Sequence, residues 1–310
     1  MTKHYILAID GGATKTAISL RTMENEIIFE AVLSGSNYQA IGEQSVERIF
    51  NDILIQVKSY TATIDHAVFA IAGIDTPKDL QVVESLVHKS IVTTNIHIEH
   101  VTIENDAKAT LLGLINGQKG ALLISGTGAV CYASDGETII STGGWGHRAG
   151  DEGSGYWIGQ QIARAIFRTS DGRVNDTTIL KELVFKKLGI ASIEELSNWL
   201  YVDDYTNARM ASLSTVLDEA LTQHDAIAQL IAQEAAYELS LIGKATLKKI
   251  ALTKEPFPFY LNGGILLYND YITQELVSQL DAYYPQLEFK LCTQKPIEYI
   301  VKRAFLTLQS

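Results

Sequence analysis

The chain has 310 residues, 46% hydrophobic and 20% charged, which suits a globular protein and excludes a disordered one. Its formal net charge of −11 argues against a nucleic-acid backbone or an anionic membrane as partner, but not against a small phosphorylated ligand, which needs local backbone donors more than a basic protein. Two cysteines, Cys131 and Cys292, without a CxxC pair, supply neither a disulfide framework nor a four-cysteine metal site.

The size prior suggests about two domains. The chain enters a strand at once, Tyr5–Ile9, leaving no room for a signal peptide, and no apolar run approaches the ~20 residues of a membrane span. A soluble, cytoplasmic protein is expected. After the turn Asp10-Gly11-Gly12-Ala13-Thr14-Lys15 come strands Thr16–Leu20 and Ile27–Val32, joined too tightly for parallel crossovers, so the opening reads as a β-meander. Ser45–Tyr60 carries apolar residues at helical spacing. A buried strand Ala67–Ile71, a helix around Leu80–His88, strands around Asn95–Ile98 and Val101–Glu104, and a helix Ala107–Ile115 complete the first half.

At Ala121 the meander starts again. A strand enters the turn Ser125-Gly126-Thr127-Gly128, a second covers Ala129–Ala133 and a third Thr138–Ser141, so Gly126 repeats Gly11 at a separation of 115 positions. This reads as an internal duplication. The second half is then mostly helical, with a long amphipathic stretch Asp225–Lys249 whose stripe Ile227, Leu230, Ile231, Leu239 and Ile242 is expected to pack in the core. A strand Phe257–Leu261 runs into Asn262-Gly263-Gly264 ahead of another helix. The domain boundary is expected in the loop Asn116–Gly120, giving domains 1–117 and 118–310, with the last helix free to pack back on the N-terminal domain.

Both glycine turns suit phosphate oxygens, because glycine lets backbone N–H groups approach a ligand closely and threonine hydroxyls add donors. The first is not a Walker loop, since its spacing is wrong. Asp10, at the end of a buried strand, can hold Mg²⁺ through water or cap its own turn. Asp106 can be a general base projecting from a strand's carboxyl end, or the N-cap of the helix after it. The run Gly143–Gly155 holds Trp145, His147, Arg148, Asp151 and Glu152 among glycines, a poor core and a good binding loop. In it an indole can stack on a sugar face and a carboxylate can accept hydroxyl protons, or Asp151 can cap the next helix, Ser154–Phe167. His147 reads as a structural donor, and His97 and His100 lack the context of a zinc site.

Together these residues resemble the sugar-kinase/actin/Hsp70 superfamily, and within it the BadF/BadG/BcrA/BcrD ATPase family, most closely its N-acetylglucosamine kinase members. The resemblance runs from Asp10 to Gly264. Its most specific piece is Gly143–Gly155 with Tyr156-Trp157-Ile158, similar to the family's GGWGH…GDEGS-YWI signature. Asp10–Thr16 looks like the first phosphate motif, Ser125–Gly128 like the second, and Leu261–Gly264 like the adenosine motif.

The resemblance implies two ribonuclease-H-like α/β domains with ATP in the cleft between them, and a kinase acting on the 6-hydroxyl of N-acetylglucosamine, N-acetylmuramic acid or both, with glucosamine as an alternative. It implies that Gly11, Gly12, Thr14, Lys15, Gly126, Thr127 and Gly128 serve the phosphates, that Asp10 organises Mg²⁺, and that Ala211, Gly263 and Gly264 lie by the nucleoside. Asp106 would take the proton of a sugar hydroxyl, and Asn37, Gly144, Trp145 and Asp151 would line the sugar site. Such an enzyme would handle cell-wall amino sugars, and the pattern allows a homodimer. Two departures stand out: Pro296-Ile297-Glu298-Tyr299 replaces a small Gly-Ala pair ahead of the last helix, and Tyr38-Gln39 follows Asn37 where mammalian-type enzymes place a Trp. The alternatives are an iron–sulfur activator of an acyl-CoA dehydratase or reductase, which would need bridging cysteines, and a sugar sensor without catalysis.

Overall fold

The computed structural model describes residues 4–202, 205–250 and 252–308. They form two compact units, one holding the described residues up to Gln118 and from Thr293 onward, the other those from Lys119 to Cys292.

In the first unit, β1 (Tyr5–Gly11), β2 (Lys15–Thr22) and β3 (Ile27–Ser34) form an antiparallel meander. Helices α1 (Tyr38–Ile41) and α2 (Glu43–Lys58) lead to β4 (Thr63–Ile71), which lies parallel beside β1. Helix α3 (Pro77–Thr94), strand β5 (His97–Glu104) and helix α4 (Asp106–Ile115) follow, giving the sheet order β3-β2-β1-β4-β5. Strand alternation builds a core on each face. Leu7 and Ile9 point toward Phe50, Phe69 and Val83 of one core, Ile6 and Ala8 toward Val68, Ala109 and Ile300 of the other.

The second unit repeats the plan. A meander of β6 (Gly120–Ser125), β7 (Ala129–Ser134) and β8 (Ile139–Gly143) precedes α5 (Gly155–Ser170), α6 (Leu180–Leu188) and α7 (Ile193–Leu200). Then come α8 (Asn207–Ala211), a 3₁₀ turn Ser212–Val216, α9 (Leu217–Thr222) and α10 (Ala226–Leu247). Strand β9 (Phe257–Asn262), helices α11 (Gly264–Tyr268) and α12 (Asp270–Asp281), and strand β10 (Leu287–Leu291) finish a sheet of order β10-β9-β6-β7-β8. The last helix, α13 (Pro296–Thr307), belongs to the first unit, where Ile297, Ile300, Val301 and Ala304 share a core with Ile6, Ala8 and Ala109.

Three elements differ from the sequence reading. Helix α3 starts earlier and ends later, because Thr76 and Asp79 form a reciprocal capping box around Pro77, and the helix runs on to Asn95, which ends it in the left-handed conformation. Strand β5 is therefore one piece, not two. In α10 Ile231, Leu239 and Ile242 of the expected stripe are buried and Ile227 packs against the core, but Leu230 is 57% exposed, and the face is completed by small residues, Ala228, Ala232, Ala235, Ala236 and Gly243. The altered segment ahead of the last helix packs without a small pair of its own. Pro296 occupies the first turn of α13, and the close approach is supplied by Gly113 of α4, where a Cβ would lie 2.0 Å from the Tyr299 carbonyl oxygen. Two ion pairs tie α13 down: Arg21 to Glu298 at 2.5 Å and Arg303 to Glu104 at 2.7 Å.

Candidate functional site

In the first unit the candidate residues gather at the carboxyl ends of β1, β4 and β5. The β1–β2 turn is closed by its own backbone, Gly12 N–H donating to the Lys15 carbonyl at 2.9 Å, so the Asp10 carboxylate is not needed as a cap. Ala13, Thr14 and Lys15 stand exposed at its tip, as a phosphate-contacting turn requires, and Gly11 is anchored through its carbonyl to Ala72 N–H at 2.7 Å. Burial pushes the Asp10 carboxyl up to about 6, opposed by the charge of Lys15.

Asp106 is not the cap of α4. That position belongs to Asn105, whose Oδ1 accepts from the N–H groups of Ala107 (2.9 Å) and Lys108 (3.2 Å). Asp106 is thereby left at the first helical position with its carboxylate available, one oxygen accepting from Ala107 N–H at 2.9 Å. Burial first, and then the neighbouring charge of Asp10, push its carboxyl up to about 7, with Asp75 adding in the same sense. Both carboxyls are thus raised by their surroundings, as suits a candidate acid–base site.

Asn37 caps α1, its Oδ1 accepting from Gln39 N–H at 3.0 Å, and its amide sits so close to Gly73 that a Cβ there would lie 2.6 Å away. The residues after it are locked down. Tyr38 donates its hydroxyl to Asp79, and Gln39 Nε2 donates to the Gly73 carbonyl at 3.1 Å and to Asp79 at 3.3 Å. The Tyr38-Gln39 departure thus serves to hold Asn37 in place through Asp79. Sequence reasoning missed Asp75, Asp79 and Asn105; the capping pattern Thr76-Pro77-Lys78-Asp79 was the readable signal for Asp79.

In the second unit the β6–β7 turn is bound to the start of α5. Gly155 N–H donates to the Gly126 carbonyl at 2.8 Å and Tyr156 N–H to the Thr127 carbonyl at 3.3 Å. Asp151 is not a helix cap either, since Ser154 takes that position. Asp151 is 8% exposed, holds a left-handed backbone with φ 62°, and accepts from Ala129 N–H at 3.1 Å. Burial raises its carboxyl above the ordinary range. A non-glycine residue in that backbone region, buried and acidic, is kept there at a cost, which is common at binding sites. Ala129 also accepts from Gly144 N–H at 2.9 Å, and a Cβ on Gly128 would lie 2.9 Å from the Asp151 carboxylate, so Gly128, Gly144 and Asp151 share one anchor. Trp145, next along, is 75% exposed. His147 packs edge-on to Tyr156 at 5.0 Å and pairs through Nδ1 with the Asn207 amide at 2.9 Å, holding the loop to α5 and α8.

A pocket of about 530 Å³ opens beside the same turn, lined by Gly126, Thr127, Ala211, Asp218, Gly264 and Tyr268 among others. Four of these were expected from the sequence; Asp218 and Tyr268 were not. Gly263, with φ 93°, lets the start of α11 pass against β6, where a Cβ would lie 2.2 Å from the Ser125 carbonyl oxygen.

Two units of like strand order, each with a glycine turn after its first strand, define an α/β protein of the actin-like ATPase fold. The model of the BadF/BadG/BcrA/BcrD ATPase family matches residues 7–286, and the chain belongs to that family. It is 29% identical over 289 residues to the N-acetylmuramic acid/N-acetylglucosamine kinase of Clostridium acetobutylicum, covering 92% of each chain. It is 29% identical over 312 residues to the N-acetyl-D-glucosamine kinase of Dictyostelium discoideum, covering 96% of each. A crystal structure from Chromobacterium violaceum, described as a candidate N-acetylglucosamine kinase, shares the fold with a TM-score of 0.73 at 21% identity, over 97% of this chain and 99% of that one. Among the described residues no helix is long and apolar enough to cross a membrane.

Proposed function

We propose that the protein is an ATP-dependent kinase that moves the γ-phosphoryl group to the 6-hydroxyl of an amino sugar, N-acetylglucosamine, N-acetylmuramic acid or both. The observation that carries this reading is the Asp106 carboxyl, freed from capping by Asn105 and raised to about 7, where a general base for an alcohol works best at neutral pH. The kinase names of the Clostridium and Dictyostelium relatives favour the acceptor sugars.

Asp106 accepts the hydroxyl proton as the sugar oxygen forms its bond to the γ-phosphorus. The bond from that phosphorus to the β–γ bridging oxygen breaks, and ADP leaves with the electron pair. Asn37, Gly144, Trp145 and Asp151 bind and orient the sugar. The turns carrying Gly11, Gly12, Thr14 and Lys15, and Gly126, Thr127 and Gly128, present donors to the phosphates, while Ala211, Gly263 and Gly264 shape the nucleoside pocket. Asp10 suits a magnesium ion: its carboxylate is a hard oxygen donor, takes no part in closing its turn, and stands beside the exposed Thr14. When bound, that ion offsets the charge gathered on the phosphates.

ADP release measured with Mg·ATP against N-acetylglucosamine, N-acetylmuramic acid, glucosamine, N-acetylmannosamine and glucose tests the proposal. Turnover with an N-acetylated sugar is expected; turnover with glucosamine alone would move the substrate to the free amine, and silence across the panel would remove the kinase. The iron–sulfur alternative is disfavoured by its cysteines. Cys131 is fully buried, burial pushes its thiol up to about 12, and Cys292 is buried as well, so neither presents a thiolate for a bridging cluster.

A further inference from the structure

Beyond the residues that bind phosphate, the pocket of the second unit carries a single charged group. Of its lining side chains, only Asp218 is ionisable in the neutral range; the others are glycines, Thr127, Ser214, Thr215, Asn269, Tyr268 and apolar residues. Asp218 lies in the first turn of α9, and its Oδ1 accepts from Asn269 Nδ2 at 2.5 Å, which fixes the carboxylate on the wall. Asn269 is itself immobilised, capping α12 by accepting from Ile272 N–H at 2.8 Å. The carboxylate is thus oriented by a residue 51 positions away, with no ion pair to a cation among the described residues, and it retains acceptor capacity toward the pocket.

The Gly126–Thr127 turn takes the phosphate end in this reading, and without a bridging cation, which Asp10 would have in Mg²⁺, the Asp218 carboxylate does not suit phosphate. It must face a neutral, donor-rich part. The edge of adenine sets its one amino donor beside ring-nitrogen acceptors, so a carboxylate there meets repulsion along with attraction. A ribose offers two adjacent hydroxyl donors and no such conflict, the pairing by which an acidic residue holds ribose in dinucleotide folds. Ile158, Leu217, Ile265 and Tyr268 supply the apolar and aromatic wall that a base requires. Asp218 is exposed to the pocket, and partial withdrawal from water, then the nearby charge of Asp270, raise its carboxyl.

We infer that Asp218 is a specificity-determining residue that accepts hydrogen bonds from the 2′- and 3′-hydroxyls of the nucleotide ribose. The inference rests on the kinase reading, with ATP in this pocket.

The test compares KM and kcat for ATP, 2′-deoxy-ATP, 2′,3′-dideoxy-ATP and GTP in wild type, Asp218→Asn and Asp218→Ala, with calorimetric ATP binding to each. Wild type is expected to show a KM for dideoxy-ATP at least about tenfold above that for ATP, because a site built for a hydroxyl leaves its acceptor unpaired when the hydroxyl is missing. Asp218→Ala should raise the KM for ATP by about tenfold, leave that for dideoxy-ATP unchanged, and keep kcat near wild type, so that ribose discrimination collapses. Asp218→Asn should fall in between. An equal rise in KM for ATP and dideoxy-ATP would overturn the inference, as would a change confined to the ATP-to-GTP ratio, which would put Asp218 on the base. Wild-type protein that turns over a sugar and binds ATP while ignoring the ribose hydroxyls would overturn the inference alone. Failure of wild type to bind ATP would overturn the kinase reading together with it.

Discussion

The two sheets share a strand order, β3-β2-β1-β4-β5 and β8-β7-β6-β9-β10, yet they carry different chemistry. In the first unit the third strand reaches the fourth through α1 and α2 alone, and acids gather beyond the strand ends, where the charges of Asp10 and Asp75 both raise Asp106. In the second unit helices α5 to α10 are inserted at the same point, and what collects beside its glycine turn is a pocket with one charged wall residue. On the kinase reading, the same backbone plan handles protons in one copy and shapes a nucleoside site in the other. The pocket wall of the second unit comes from helices inserted after its third strand, whereas the acids of the first stand in β1 and just after β4 and β5.

The sharpest way to break this contrast is Asp106→Asn. It keeps the shape and removes the proton acceptor, so kcat should fall by roughly 10²–10⁴-fold, the usual range for a general base. ATP binding, which on the kinase reading uses the two glycine turns and the nucleoside pocket and not Asp106, should survive; a drop in kcat of less than tenfold would remove Asp106 from the mechanism.

The converse variant is Gly126→Val. A side chain there meets nothing within 4 Å and enters the open space beside the pocket, so the KM for ATP should rise at least about tenfold through lost room for the ligand. Sugar binding measured without nucleotide should not change. Equal loss of both would contradict the division of labour.

A smaller effect sharpens the electrostatic side. In the range where Asp106 titrates, near 7, kcat/KM should fall as pH drops, because the base becomes protonated. Stability should run the other way. The folded carboxyls of Asp10 and Asp106 sit above their unfolded values, so the folded state holds protons more tightly, and stability present below about pH 4 is lost as pH rises through about 6 and 7. Asp106→Asn should therefore melt a few degrees above wild type at pH 8, with the difference shrinking toward pH 5. A melting difference independent of pH would show that Asp106 is not the strained group.

Much of the fold was legible. Two meanders showed as period-two apolar runs broken by glycine, and the repeat of the Gly11 turn at Gly126 exposed the duplication. Helix α3 was read too short because its Ser90–Thr94 end is β-branched, and the tertiary contacts of Val83, Leu86 and Val87 outweighed that local preference. In α10 the large residues Ile231, Leu239 and Ile242 mark the core face in the sequence, but the alanines that complete it carry no comparable signal, and Leu230 lies outside it. Asp106 and Asp151 each stood where a cap was the ordinary reading, and only coordinates revealed that Asn105 and Ser154 fill those positions.

By itself, then, the sequence determined the local elements, the glycine turns and the family signature around Gly143–Tyr156, because those depend on side-chain alternation and backbone freedom over a few neighbouring residues. The tertiary structure alone decided which carboxylates are raised, that α13 returns to pack on Gly113, and that Asn269 orients Asp218. Those facts depend on burial and on contacts between residues distant along the chain, and neither leaves a local mark in the order of amino acids.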